Sequence, residues 1–227
     1  MKKITMVFLS LICFVVNINA NAFLVDSLSK VVDEEDEFIV IKGENSREYI
    51  FTSLSIIEIT PDGKVIESKV NPEDVSQWPV ITSPSEIIID KYDEVRIKIF
   101  KNIKKPIKDT VMGLSLIPEQ VKQNNKNGSA LNLAIGYKVW LFISGTEKIN
   151  GDVFVKRIGK EAIITNKTNK ILRVAVDSCK TNSVKDCYGD ILSMPGTIKT
   201  INIPVQETKF SFYMINANQS KVKELAI

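Results

Sequence analysis

Residues 131–143 read LNLAIGYKVWLFI, a run in which two kinds of side chain alternate along the chain. Every second position from Leu131 to Ile143 carries leucine, isoleucine, valine or tyrosine, and the positions between them carry a different set that includes Lys138 and Trp140. Successive side chains of a β-strand point to opposite faces. The run therefore predicts one long strand with an aliphatic face, well beyond the usual length of about 5–6 residues.

The aliphatic face of this strand has two interpretations. It is either the core face of a β-sandwich or a row of which part is displayed to another chain. An exposed apolar edge strand promotes aggregation, and most proteins suppress it. A protein that keeps such a strand can use it for strand addition, in which the main chain hydrogen-bonds to the partner and alternate side chains give specificity.

The rest of the chain also has the pattern of strands and turns. Runs rich in Ile, Val, Phe, Tyr and Thr predict strands at residues 37–42, 48–60, 64–70, 86–90, 95–100, 111–117, 152–157, 160–166, 171–177, 197–203 and 210–215. Turn signals rich in proline, glycine and asparagine separate them. No long segment keeps a helical period, so the pattern predicts an all-β sandwich fold. The pattern restarts near residues 144–146, which predicts a domain at 23–144 and a second at 145–227.

The N-terminal residues have the features of a secretory signal peptide. Lys2 and Lys3 give a positive start, residues 4–16 are mostly apolar, and Ala20-Asn21-Ala22 matches a cleavage site. A membrane anchor is the alternative, but the run is shorter than the ~20 residues that span a bilayer. We expect residues 1–22 to be removed and the mature chain to begin at Phe23.

The amino-acid composition disfavours several classes of function. The chain of 227 residues has 30 Lys+Arg and 27 Asp+Glu, a formal charge of +3, and the mature chain would carry 28 − 27 = +1. This balance disfavours nucleic acid as the main partner. The absence of histidine removes Ser-His and Cys-His nucleophiles and His-ligated metal sites. No phosphate-binding loop or suitably placed carboxylate pair is evident. We therefore expect no enzyme activity, no cofactor and no metal.

The cysteines of the mature chain are Cys179 and Cys187, because Cys13 lies in the predicted signal peptide. An even pair in an exported protein favours a disulfide. The alternative is two free thiols. A metal site is less favoured, because two thiolates without histidine would need further ligands.

Several motifs occur in a characteristic order. Residues 23–30 (FLVDSLSK) follow the signal peptide, and residues 78–84 (WPVITSP) and 94–98 (EVRIK) come next. The strand at 131–143 follows a polar loop at 120–129, which we expect to be mobile, and the cysteine pair and Met194-Pro195-Gly196 come late. Together they resemble the periplasmic pilus-assembly chaperones (PapD-like). The resemblance is nearest to the alternate branch, which includes the chaperones of the common pilus and of colonisation-factor fimbriae.

The resemblance implies two immunoglobulin-like domains around a cleft and a mechanism called donor-strand complementation. The last strand of the first domain fills the open groove of an incomplete pilus subunit, and an outer-membrane usher then receives the subunit. It further implies a periplasmic location and no cofactor. The donor row that it implies consists of Leu131, Leu133, Ile135, Tyr137 and Val139.

The anchor for the subunit's carboxylate departs from the family pattern. Members of the main branch use an arginine in the first strand and a lysine in the donor strand. Here Lys30 is the basic residue of the first strand, and Trp140 stands where the donor-strand lysine is expected. Lys138 lies on the same face as Trp140, so Lys30 and Lys138 are the candidate anchors. The alternative for Lys138 is a solvated surface lysine.

A secreted structural or adhesive immunoglobulin-like protein, such as a pilus subunit, is the alternative function. A subunit would carry an N-terminal donor extension of alternating apolar residues, and the alternation at residues 23–36 breaks at Ser27. The sequence leaves open whether the free protein caps itself as an oligomer.

Overall fold

The structure is a computed structural model that describes residues 23–32, 37–44, 47–60, 62–102, 106–119, 135–178, 188–203, 207–216 and 218–227. The predicted signal peptide, the polar loop at 120–129, and Leu131, Leu133, Cys179 and Cys187 lie outside these ranges. Within them, no helix has the length and apolar character needed to cross a membrane.

The described residues form strands joined by turns, with a single 3-10 turn at Val75–Gln77. The strands of the first half are β1 (Phe23–Val25), β2 (Ser29–Val32), β3 (Glu37–Gly43), β4 (Glu48–Ile59), β5 (Val65–Lys69), β6 (Val80–Ser83), β7 (Glu86–Ile89), β8 (Glu94–Lys101), β9 (Thr110–Pro118) and β10 (Tyr137–Ile143). Those of the second half are β11 (Val153–Ile158), β12 (Glu161–Asn166), β13 (Leu172–Asp177), β14 (Tyr188–Ser193), β15 (Ile198–Asn202), β16 (Lys209–Met214) and β17 (Lys221–Ala226).

The first half is a sandwich of two sheets. One sheet has the order β1-β3-β8-β6, and the other has the order β2-β10-β9-β4-β5 with β7 also paired to β4. Alternating side chains of both inner faces meet in one core, to which β3 and β8 contribute Ile39 and Ile97 and β9 and β10 contribute Leu114 and Leu141. All of these are fully buried, which is the period-2 burial expected of a sandwich.

The second half is a smaller sandwich. Its sheets have the orders β11-β12-β15 and β14-β13-β16-β17, and its core includes Ile164, Val174 and Phe212. No described strand of the first half pairs with one of the second. The predicted all-β fold with two β-sandwiches is confirmed. The last strand of the first sandwich ends at Ile143, and the first strand of the second begins at Val153.

An apolar cluster joins the two sandwiches. Ile57, Val111 and Phe142 from the outer face of the larger sheet pack with Ile171, Met194 and Ile215 of the second sandwich. These side chains are at most 8% exposed. The outer face of the sheet that contains β10 is therefore buried near the junction with the second sandwich. Farther from the junction, this face is accessible to solvent.

Candidate functional site

The edge of β10 is partly open. β9 pairs antiparallel with β10 from Tyr137 to Ile143, whereas β2 pairs parallel with it from Trp140 to Ile143. The N–H of Trp140 donates to the carbonyl of Leu28 at 2.9 Å. Alternate residues of a strand point their N–H and C=O groups to the same edge. The N–H and C=O of Lys138 therefore point to the same edge as β2 but lie before the stretch that β2 covers, where the described part of the chain places no strand.

The aliphatic row of β10 changes its environment along the strand. Val139, Leu141 and Ile143 are completely buried in the first core. Tyr137 is half-buried, and its ring packs edge-on against Phe23 with the ring centroids 5.1 Å apart. Ile135, just before the strand, is 38% exposed. The side chains at the C-terminal end of the row are therefore part of the core, and those toward the N-terminal end of the row are increasingly exposed to solvent.

This arrangement corrects part of the predicted donor row. The prediction that Val139 contacts a subunit is wrong for its side chain, because that side chain lies inside the domain. The strand begins at Tyr137, and Leu131 and Leu133 lie outside the described residues. Gly136 lies close to β9: a Cβ there would be 2.7 Å from the carbonyl oxygen of Leu116. Ile135 is the described member of the row that is most open to solvent.

Lys138 is on the opposite face of β10 and forms an ion pair. Its Nζ donates to Oε2 of Glu67 on β5, and its stem passes beside Gly113. The hydrogen bond from Lys138, followed by one from Ser55, lowers the pKa of Glu67 below its ordinary value. The side chains of Lys138 and Glu67 are 35% and 40% exposed. Lys138 is therefore paired across the sheet rather than solvated alone.

Lys30 lies in a cavity between the two sandwiches. Its Nζ is 3.5 Å from Oε2 of Glu37, and the cavity lining also includes Phe142, Arg173 and Asp190. Arg173 on β13 makes a two-pronged ion pair with Asp190 on β14, with distances of 3.1 Å (Nε–Oδ1) and 2.9 Å (Nη2–Oδ2). Sequence reasoning missed Arg173, because no local motif marks it and only the packing of the second sandwich brings it near Lys30.

The described residues contain no group of three His, Cys, Asp or Glu side chains that could hold a metal ion.

The cysteines lie just outside the described ends of one hairpin, in which Asp177 of β13 pairs with Tyr188 of β14. The disulfide between Cys179 and Cys187 remains a proposal, because both residues lie outside the described part of the chain.

Solved structures with a similar fold are fimbrial chaperones. The class 5 fimbriae chaperone CfaA is 15% identical with a TM-score of 0.55, and the match covers 91% of this chain and 98% of CfaA. A chain in the structure of the Salmonella enterica SafA pilin in complex with the SafB chaperone is 10% identical to the present protein, with a TM-score of 0.52. The match covers 91% of the present protein and 95% of that chain. The chain therefore has the two-sandwich fold of this class of chaperones.

A family model described as the CS5 fimbrial protein N-terminal domain matches residues 25–144. The chain is also 34% identical over 200 residues to an Escherichia coli protein described as an uncharacterized 25.9 kDa protein in the CS5 3′ region, covering 85% of this chain and 88% of that protein. The chain belongs to the CS5 fimbrial protein family. The predicted resemblance to the alternate branch of pilus-assembly chaperones is confirmed at the level of the fold.

Proposed function

We propose that this protein is a periplasmic chaperone that captures pilus subunits by donor-strand complementation and delivers them to an outer-membrane usher. The observation that carries the proposal is the edge of β10. The open main-chain groups of Lys138 lie beside a row of side chains that leaves the core at Ile135. An incoming strand can add to this edge while the groove of the subunit takes up Ile135, Leu133 and Leu131.

The binding energy follows from ordinary strand addition. Main-chain hydrogen bonds give affinity, and pockets for alternate side chains give specificity. Each aliphatic side chain buried in the groove contributes about 1.5–3 kcal/mol. Leu131, Leu133 and Ile135 together supply enough apolar surface to stabilise an incomplete subunit without nucleotide or metal.

We assign the contact with the subunit's carboxylate to Lys30 rather than to Lys138. Lys30 faces the cavity between the sandwiches. Lys138 already forms an ion pair with Glu67, so binding the subunit's carboxylate at Lys138 would require an exchange of ion-pair partners. The weaker and longer pair of Lys30 with Glu37, at 3.5 Å, exchanges more readily.

The strand pairing disfavours the alternative of a pilus subunit. A subunit's N-terminal donor extension must be available to a neighbouring subunit. Here β1 pairs with β3 and β2 pairs with β10, both within the same sandwich. Residues 23–32 are thus part of the domain itself.

Co-expression in a bacterial periplasm with each pilin-like protein encoded beside its gene tests the proposal. The unaltered chain is expected to co-purify with a subunit in a one-to-one complex, and Leu133→Glu and Ile135→Glu are expected to lose that complex, because each drives an unpaired carboxylate into an apolar groove. Ile198→Glu is the matched control, because Ile198 is 64% exposed on the second sandwich and lies outside the donor row.

The free Ile135→Glu and Ile198→Glu proteins are expected to remain folded. If the Leu133→Glu and Ile135→Glu variants both still co-purify with a subunit, the assignment of the donor row is contradicted. Failure of the unaltered chain to hold any pilin-like protein contradicts the chaperone function itself. Mass spectrometry of the secreted chain checks the proposed periplasmic export, with Phe23 as the expected first residue.

A further inference from the structure

The two halves of the chain carry opposite net charge. Residues 23–144 contain 15 Lys+Arg and 19 Asp+Glu, which gives 15 − 19 = −4. Residues 145–227 contain 13 Lys+Arg and 8 Asp+Glu, which gives 13 − 8 = +5. The mature chain is nearly neutral only because these two charges cancel. The field of such a molecule attracts an anionic partner to the second sandwich and repels it from the first.

The outer face of β11 and β12 in the second sandwich is exposed and partly apolar. Side chains of β11 alternate between the two faces of the sheet, and those on the outer face are Phe154, Lys156 and Ile158. Phe154 and Ile158 are 49% and 50% exposed. Ile163 of β12 pairs with Lys156 and lies half-buried on the same face. Large apolar side chains are therefore open to solvent near both ends of β11.

Lysine side chains surround this apolar surface. Nζ of Lys167 lies 5.4 Å and Nζ of Lys223 lies 5.6 Å from the centroid of the Phe154 ring. Lys223 is paired with Asp152, since its Nζ is 2.8 Å from both carboxylate oxygens. Lys156 and Lys167 are exposed, and neither forms an ion pair with a residue that the structure describes. These two cations are therefore available to an external anion.

Lysines interspersed with large apolar side chains on one exposed face fit the surface of an anionic membrane. Lipid headgroups supply negative charge for the lysines, and the boundary of the acyl region accepts aromatic and aliphatic side chains. A protein partner would need a complementary shape over about 1,000 Å². A membrane needs only a basic surface whose apolar side chains reach past the headgroups.

We propose that this outer face of β11 and β12 is a peripheral docking surface for membranes rich in anionic phospholipid. Lys156 and Lys167 contact the headgroups. Phe154 and Ile158 enter the boundary between the headgroups and the acyl chains. The negative first sandwich is repelled by the same lipid, so the edge of β10 stays accessible. The benefit for subunit capture rests on the proposed function, whereas the lipid contact does not.

Co-sedimentation of the purified mature chain with phospholipid vesicles tests the docking surface. The chain is expected to bind vesicles made of equal parts of phosphatidylglycerol and phosphatidylcholine, and to leave vesicles of pure phosphatidylcholine unbound. Because salt screens the attraction between lysines and headgroups, raising the salt from about 0.05 M to about 0.5 M is expected to weaken binding by at least about tenfold.

Two variants remove the two kinds of contact separately. Lys156→Gln/Lys167→Gln is expected to lower the partition coefficient by about 25-fold, because each lysine near an anionic membrane contributes about fivefold. Phe154→Ser is expected to lower it by about tenfold, because an aromatic side chain no longer enters the acyl boundary. Both variants are expected to remain folded, since the altered side chains are exposed.

The matched controls lie on the first sandwich. Lys42→Gln/Lys64→Gln makes the same change in net charge at side chains that are 59% and 79% exposed. Ile66→Ser removes an apolar side chain that is 47% exposed on β5. Both controls are expected to bind the anionic vesicles within about twofold of the unaltered chain.

Equal losses in the variants and in their controls would show that overall charge drives binding, and this result overturns the proposal. Equal binding to neutral and anionic vesicles, or binding to neither, overturns it as well. Sedimentation velocity without vesicles examines a different occupant. A salt-sensitive dimer that is lost in Lys156→Gln/Lys167→Gln would assign this face to the negative first sandwich of a second copy instead. No pilus subunit enters these measurements, so their result is independent of whether the chain captures one.

Discussion

Val139→Ala separates the core part of the aliphatic row from the part that we assign to subunit binding. Val139 is 0% exposed and packs in the first core. The substitution removes two methyl groups, worth about 1.6 kcal/mol at about 0.8 kcal/mol each. A residual cavity would raise the loss toward about 3 kcal/mol. Ile135→Ala is the matched comparison, and we expect it to cost under about 1 kcal/mol because Ile135 is partly exposed at the start of the strand.

Tryptophan fluorescence during urea unfolding measures this difference selectively. The chain has two tryptophans, Trp78 and Trp140, and both belong to the first sandwich. With a urea dependence of about 1–3 kcal/mol/M for small domains, Val139→Ala is expected to lower the midpoint by roughly 1 M. Ile135→Ala is expected to leave the midpoint almost unchanged and to weaken subunit capture. Equal midpoint shifts for the two variants would refute the assignment of Val139 to the core and Ile135 to the binding surface.

Three further predictions concern other parts of the chain. Gly43→Ala is expected to destabilise the first sandwich by about 1–3 kcal/mol in the same urea assay, because its Cβ would lie 2.0 Å from the carbonyl oxygen of Asp90; an unchanged midpoint would contradict this packing. The carboxyl of Glu224 is expected to titrate with a pKa of about 2, since hydrogen bonds from two lysines lower it from 4.5; its contribution to stability is therefore present above about pH 4.5 and is lost as the pH falls through 2. Carbon-13 shifts of its side chain measure this, and a midpoint near 4.5 would show that the lysines do not hold it. Non-reducing peptide mass spectrometry is expected to find Cys179 bonded to Cys187, and two free thiols would contradict the proposed disulfide.

The long strands could be predicted because their sequence pattern is local. β4 and β9 are long strands rich in β-branched and aliphatic residues. Each overlaps its predicted range. β2 has four residues, too few to show a period, so the alternation does not predict it, nor β1 or β6, and only the family resemblance implies a first strand that contains Lys30. β14 at Tyr188–Ser193 and β17 at Lys221–Ala226 also lie outside the predicted strands. Edge strands with polar sequences lack the alternation on which such predictions depend.

The site residues depend on sheet order and on the meeting of two domains. Alternation placed Lys138 and Trp140 on one face, but the partner of Lys138 is Glu67, three strands away in the order β10-β9-β4-β5. Alternation also does not show where along the row the core ends, so the donor row that the resemblance implies includes Val139, whose side chain lies in the core. Asp109 and Lys170 form a buried ion pair between the two sandwiches although they are 61 positions apart, and no local pattern indicates that they meet.

Hydrogen exchange at the amide of Lys138 tests strand addition most directly. In the free protein this N–H points to the open edge of β10, so we expect it to exchange much faster than the amide of Trp140, which donates to Leu28. When a pilus subunit is bound, the added strand is expected to accept a hydrogen bond from Lys138 and to slow its exchange by at least about tenfold, whereas the amide of Trp140 changes little. A stable complex in which the Lys138 amide exchanges as fast as in the free protein would contradict strand addition at this edge.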